Sequence, residues 1–164
     1  MREFVYEALP GRVVFGVGSL DQLADEVARL GVAKALVLST PQQRAQAEDI
    51  SARLGDRSVG VYDKAEMHVP IDVAKAARQE AQRLGADACV AVGGGSTIGL
   101  GKAIALEFGL PIIAVPTTYA GSEMTPIWGL TEDGVKKTGR DPKVLPTTVV
   151  YDPTLTLTLP AFIA

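Results

Sequence analysis

Cysteine, histidine and tryptophan each occur once in the 164 residues, as Cys89, His68 and Trp128, and aromatic residues make up only 5%. A single cysteine excludes an intramolecular disulfide and suits a reducing compartment. A single histidine excludes a histidine-rich metal site contained in the chain. Basic clusters are missing too: 16 Lys and Arg stand against 19 Asp and Glu, for a net charge of −3. That balance argues against nucleic acid and against anionic membranes as partners. No apolar run approaches membrane-spanning length, and the opening seven residues, Met1 to Glu7, carry no apolar signal core. A cytoplasmic protein is therefore the default expectation. Internal repeats and low-complexity tracts are absent as well.

What the chain does have is an ordinary globular composition, 47% hydrophobic and 21% charged, at a length that suits one domain. It also has 17 glycines, and their densest cluster organises the rest. From Cys89 to Ala105 the sequence reads as a buried strand, a turn of three glycines at 93–95, and a helix opening directly from that turn. Glycines there let the backbone approach a ligand closely. Ser96 and Thr97 follow where the first helical N–H groups lack intrahelical partners, which makes the turn an anion site whose usual occupant is phosphate. The spacing is neither G-x-G-x-x-G nor G-x-x-x-x-G-K-[ST]. The strand before and the helix after carry the reading, against the plainer one of a tight packing turn.

Along the chain, Phe4 to Phe15 reads as one or two short strands broken at Pro10-Gly11. Ser19 to Leu30 reads as a helix capped by Ser19, with apolar residues at helical spacing and Gly31 as its stop. Ala33 to Leu38 is a short aliphatic run that fits a parallel strand covered on both faces. A second helix follows Ser39-Thr40-Pro41, carrying Ala45, Ile50 and Leu54, and Ser58 to Tyr62 is the next strand. A third helix starts at Val69-Pro70, with Val73, Ala76, Ala77, Ala81 and Leu84 on one face. Asp87 to Val92 is the central strand, Thr97 to Phe108 its helix, and Pro111 to Val115 another buried strand. Trp128 to Lys137 reads as a hairpin turning at Asp133-Gly134, and Pro146 to Tyr151 as a last strand. Regular strand–helix alternation implies a doubly wound, mainly parallel α/β sheet of Rossmann-like type.

Ligands of such sheets bind along the carboxyl edge. The hydroxyl-rich loop Thr117 to Ser122 follows the strand beside the glycine turn, so Thr117, Thr118 and Ser122 are candidates for phosphate or ribose contacts, or else caps of their own backbone. Ser39 and Thr40 close the second strand, where nucleotide-binding sheets often place a carboxylate on the adenosine ribose. No acid stands there, so a ribose phosphate would meet no repulsion, which weakens any exclusive preference for NAD over NADP. Lys136 and Lys137 could reach a cofactor phosphate or merely solvate the hairpin. Lys102 stays open between solvent and an ion pair. His68 reads more readily as a structural loop residue than as a ligand contact, and Cys89 as inert core.

At these residues the chain resembles the iron-containing (group III) alcohol dehydrogenase superfamily and, within it, the maleylacetate reductase subgroup. The resemblance rests on Gly93 to Leu106, Ala114 to Pro126, Arg140 to Pro146, Asp152-Pro153 and Leu159-Pro160. Gly99 stands where the superfamily usually has aspartate, and Tyr119-Ala120-Gly121 replaces a longer loop of small residues. Both departures, and Ala65 to Pro70, resemble the subgroup. The resemblance implies that Gly94, Gly95 and Ser96 hold the pyrophosphate of NAD or NADP. It implies that Thr117, Thr118 and Ser122 contact phosphate, ribose or nicotinamide, that Lys136 reaches the ribose, and that Tyr119 approaches the nicotinamide end.

It further implies NAD(P)H-dependent reduction of 2-maleylacetate to 3-oxoadipate, a step in aromatic compound catabolism. Residues 1–164 would be the N-terminal cofactor domain, with 153–164 starting a linker. An all-helical C-terminal domain, carrying most of the substrate pocket and the iron or zinc ligands of metal-dependent members, would lie beyond it. The chain by itself is then expected to bind cofactor, to hold no metal site and no catalytic residue, and to be inactive. Expected partners are NAD(P)H, a maleylacetate-type small molecule and a second copy in a homodimer, with no nucleic acid and no membrane. Two other readings stay open: a stand-alone nucleotide-binding module without catalysis, and a sibling iron-type alcohol or polyol dehydrogenase, against which Gly99 and Tyr119 argue.

Overall fold

The computed structural model describes residues 7–160. Its strands are β1 (Arg12–Phe15), β2 (Ala35–Leu38), β3 (Ser58–Tyr62), β4 (Ala88–Gly93), β5 (Ile112–Pro116), β6 (Ile127–Glu132), β7 (Val135–Arg140) and β8 (Thr148–Tyr151). Its helices are α1 (Leu23–Arg29), α2 (Arg44–Leu54), α3 (Ile71–Leu84) and α4 (Gly95–Phe108). Six strands form one sheet in the order β1-β8-β5-β4-β2-β3, every pair parallel. The remaining two, β6 and β7, pair antiparallel as a separate hairpin. The fold is a doubly wound Rossmann-like sheet with flanking helices.

Every residue of β2, β4 and β5 is buried, which is why these strands read as unbroken apolar runs. Successive side chains point to opposite faces. Val37, Val90, Val92 and Val115 pack with Leu23, Val27 and Ile50 beneath α1 and α2. Leu36, Leu38 and Cys89 pack with Ala77, Ala81, Leu100 and Ile104 beneath α3 and α4. The chain therefore leaves β2 over one face and β4 over the other. These two strands are neighbours, so the crevice at their carboxyl ends is the topological switch point, where such sheets take their ligands.

Two local expectations are corrected. Ser19 does not cap a helix: a 3-10 turn covers Ser19–Gln22 and α1 begins only at Leu23. The Ser19 Oγ instead donates to the Tyr151 carbonyl at 2.9 Å, tying this turn to the end of β8. On α3, Ala76 is exposed, and Ala74 joins Ala77 and Ala81 on the buried face. Of the strands expected between Phe4 and Phe15, the one after Pro10-Gly11 is present at Arg12–Phe15, and Phe4 to Tyr6 lie outside the described residues. The hairpin turns where expected, with Asp133 and Gly134 at φ 52° and 75°, the pair of positive values that a two-residue type I′ turn requires. No helix among the described residues is long and apolar enough to cross a membrane.

Candidate functional site

At the end of β4 the chain turns into α4 through Gly93 and Gly94. Gly93 sits at φ 150°, and a Cβ there would come within 2.6 Å of Thr97 Oγ1 and 2.7 Å of Gln43 Oε1. A Cβ on Gly94 would lie 2.8 Å from both outer atoms of the Thr118 side chain. Real contacts are not that short, so side chains are excluded at both positions and a concave strip of backbone results. The first α4 hydrogen bond runs from the Ile98 N–H to the Gly94 carbonyl at 3.1 Å. The N–H groups of Gly95, Ser96 and Thr97 are left without intrahelical partners, at the positive end of a 14-residue helix.

The loop after β5 lies against this turn. Thr117 N–H donates to the Gly93 carbonyl at 3.1 Å, and the nearly buried Thr117 Oγ1 accepts from Gln43 Nε2 at 2.8 Å. Gln43, which the sequence reading passed over, thus bridges the β2 end to the β5 end beneath the glycine turn. Two hydroxyls buried in the same region, Ser39 Oγ and Thr97 Oγ1, have no hydrogen-bond partner. Unpaired buried hydroxyls beside a strip that rejects side chains fit a site made for a polar ligand. Ser39 itself is fully buried, while Thr40 is half-buried.

A cleft of about 530 Å³ opens beside the α4 N-terminus and runs to the hairpin, lined by Gly95, Ser96, Ser122, Lys136, His68 and Trp128 among others. Among the described residues no carboxylate lines it. The hairpin separates its two lysines: Lys136 turns into the cleft, packing over Gly129, whereas Lys137 pairs with Glu132 at 2.6 Å away from it. Tyr119 and Thr118 line a neighbouring cavity of about 400 Å³ instead, where the Tyr119 hydroxyl donates to Thr156 Oγ1 at 3.0 Å. Of the residues expected to hold a cofactor, then, Gly95, Ser96, Ser122 and Lys136 line one cleft. Gly94, Thr117, Thr118, Ser39, Thr40 and Tyr119 stand outside its lining, Thr117 and Thr118 packing against Gly93 and Gly94 at the turn.

Lys102 resolves the question the sequence left open. It is fully buried, pointing from α4 into the loop. Its Nζ donates to the carbonyls of Ser122 (2.6 Å), Thr125 (2.8 Å) and Ile127 (2.8 Å), and to Thr125 Oγ1 at 3.1 Å. An ammonium has three protons and no lone pair, so the group is saturated and gathers the whole 122–127 segment onto α4. Burial pulls its pKa down to about 8, against the attraction of the Glu123 carboxylate. Glu123 is also buried and accepts from the Tyr151 hydroxyl at 2.7 Å. Burial and that carboxylate together push the Tyr151 phenol above its ordinary value. Among the described residues no group of three or more His, Cys, Asp and Glu side chains comes together.

The profile of the family described as iron-containing alcohol dehydrogenase matches residues 10–153. The chain belongs to that family. Within the iron-containing alcohol dehydrogenases, it is 63% identical over 160 residues to the maleylacetate reductase of Burkholderia cepacia, covering 98% of this chain and 46% of that protein. It is 60% identical over 159 residues to the maleylacetate reductase of Sphingobium indicum, covering 97% and 45%. The crystal structure of maleylacetate reductase from Agrobacterium tumefaciens superimposes with a TM-score of 0.95 at 54% identity, covering 99% of this chain and 47% of that one. The chain spans slightly less than half the length of the curated relatives it matches.

Proposed function

We propose that this chain is the dinucleotide-binding part of an NAD(P)H-dependent reductase whose substrate is maleylacetate. The observation that carries the reading is the side-chain-free strip at Gly93-Gly94, opening into free helical N–H groups at the switch point of the sheet. High identity to maleylacetate reductases supports the substrate.

In this reading the N–H groups of Gly95 and Ser96, with the Ser96 hydroxyl, donate to the pyrophosphate. Thr118 and Ser122 present hydroxyls from the opposing loop, and Lys136 supplies a cation from the hairpin. When bound, the dinucleotide would supply hydride from its reduced nicotinamide to the conjugated ene-oxo acid, which with one proton would give 3-oxoadipate. Charge developing on the acceptor oxygen needs a donor nearby. The residues of this chain bind and orient; they carry no general acid in the cleft apart from His68 and Lys136. Neither Ser39 nor Thr40 brings a negative charge to the β2 end, so both NAD and NADP are accommodated. A homodimer belongs to the same reading. Among the described residues β1 pairs on one side only, and it exposes Val13 and Phe15 along that edge.

Titration of the chain with NADH and with NADPH, followed by dihydronicotinamide fluorescence, tests the reading. Both are expected to bind. Ser96→Asp, which sets a carboxylate among the N–H groups that meet the pyrophosphate, is expected to weaken both at least tenfold. Absence of binding at millimolar cofactor would refute the site.

A further inference from the structure

His68 and Val69 both lie in the left-handed region, at φ 64° and 47°. A β-branched residue there is a genuine outlier, and such strain persists only where the surroundings over-determine it. The surroundings do. Thr131 on β6 donates through its N–H to the Val69 carbonyl at 3.0 Å and through its Oγ1 to the His68 carbonyl at 2.8 Å. Val69 is buried with its Cγ2 against Gly99 of α4, where a Cβ would stand only 2.8 Å away. The departure from aspartate at position 99 thus has a physical correlate: only glycine lets the segment seat this deeply against α4.

The result of that strain is an exposed imidazole set into the wall of the cleft, together with Lys136 from β7. The other charged group in the lining is Lys102 of α4, already saturated by its own acceptors. In a chain of net charge −3, the described residues of this lining bring cations, hydroxyls and backbone amides and no carboxylate.

We propose that His68, held by the strained 68–69 segment and acting with Lys136, is a second anion position of the cleft, distinct from the N–H groups of α4. It takes an oxyanion of the bound ligands, either a phosphate of the dinucleotide or a carboxylate of an acidic acceptor. This rests on the dinucleotide reading given above.

Because His68 is the single histidine of the chain, its imidazole proton resonances can be followed by NMR without assignment, in the 164-residue chain itself. Three additions are compared: NADH, NADPH, and maleate, a four-carbon dicarboxylate, in the presence of NADH. A response to NADH places a pyrophosphate oxygen at His68, a response to NADPH alone places the ribose phosphate there, and a response only to maleate places a carboxylate. His68→Gln is expected to weaken binding three- to tenfold for every ligand that carries the responding group: NADH and NADPH together for a pyrophosphate oxygen, NADPH alone for the ribose phosphate, maleate alone for a carboxylate. Gly99→Ala, which keeps the histidine but displaces Val69, should weaken the same ligand. Failure of fluorescence binding by NADH and NADPH would refute the dinucleotide reading whatever the imidazole does. Binding of NADH with no imidazole response to any of the three, and unchanged affinities in His68→Gln, would overturn the anion position alone.

Discussion

Lys102 shows how much one side chain organises here. Its ammonium is the partner of three carbonyls from one loop, and a buried acceptor left without a donor costs roughly 1–3 kcal/mol. Lys102→Met is therefore expected to lower the unfolding free energy in urea by at least about that amount and to weaken NADH binding, because Ser122 belongs to the released segment. An unchanged urea midpoint would show that the loop holds without it. The sequence could not disclose this role. A lysine two turns into a helix could face solvent or an ion pair, and the carbonyls it serves lie 20 to 25 residues downstream. The strain at His68 and Val69 was hidden for a related reason: neither is glycine, so nothing in the residue types announces a left-handed backbone. Gly99 was noticed as a departure, but the contact that explains it is made with a different element.

At the level of elements, the buried runs and the glycine stops were legible because they follow from local rules. Ala35–Leu38, Ala88–Gly93 and Ile112–Pro116 are apolar throughout since both their faces are covered. Gly31, read as the stop of the first helix, follows α1 in the left-handed region at φ 72°. Ser19 was misread because its carbonyl partner on Tyr151 is 132 residues away. Position 76 was misread because alanine suits either face of a helix. The edge strand β1 is stitched to the sheet by charge. Glu26 of α1, nearly buried, accepts two bonds from Arg12 at 2.7 and 2.8 Å and one from Arg29 at 3.1 Å, and Arg29 reaches on to Thr148 of β8.

The Arg12 hydrogen bonds hold the Glu26 carboxyl below its ordinary value of 4.5, outweighing its burial. A carboxylate whose pKa is lower folded than unfolded contributes stability that is complete above the ordinary value. That contribution is lost as the pH falls through the folded value. Urea unfolding measured above and below pH 4.5 should accordingly show a loss of stability on acidification that is smaller in Glu26→Gln. Equal losses in the two proteins would remove Glu26 from the account.

At the scale of the whole molecule, the sheet shelters Cys89 at its centre, fully buried, with burial pushing the thiol up to about 12. A protonated thiol without solvent access does not react. Ellman's reagent is expected to leave the native chain unmodified and to label it at a rate that follows global unfolding across a urea series. Rapid labelling without denaturant would mean that β4 opens locally. The overall architecture was readable from alternation alone, whereas the cleft was not, because it is assembled from α4, the post-β5 loop, the 67–69 segment and a hairpin outside the main sheet. That assembly has an optical consequence. The single indole of the chain, Trp128, stands in the wall of the same cleft. Its emission overlaps the absorption of a reduced nicotinamide, so a dinucleotide seated there would quench the protein's own fluorescence by energy transfer, and the chain would report its occupancy without any attached label.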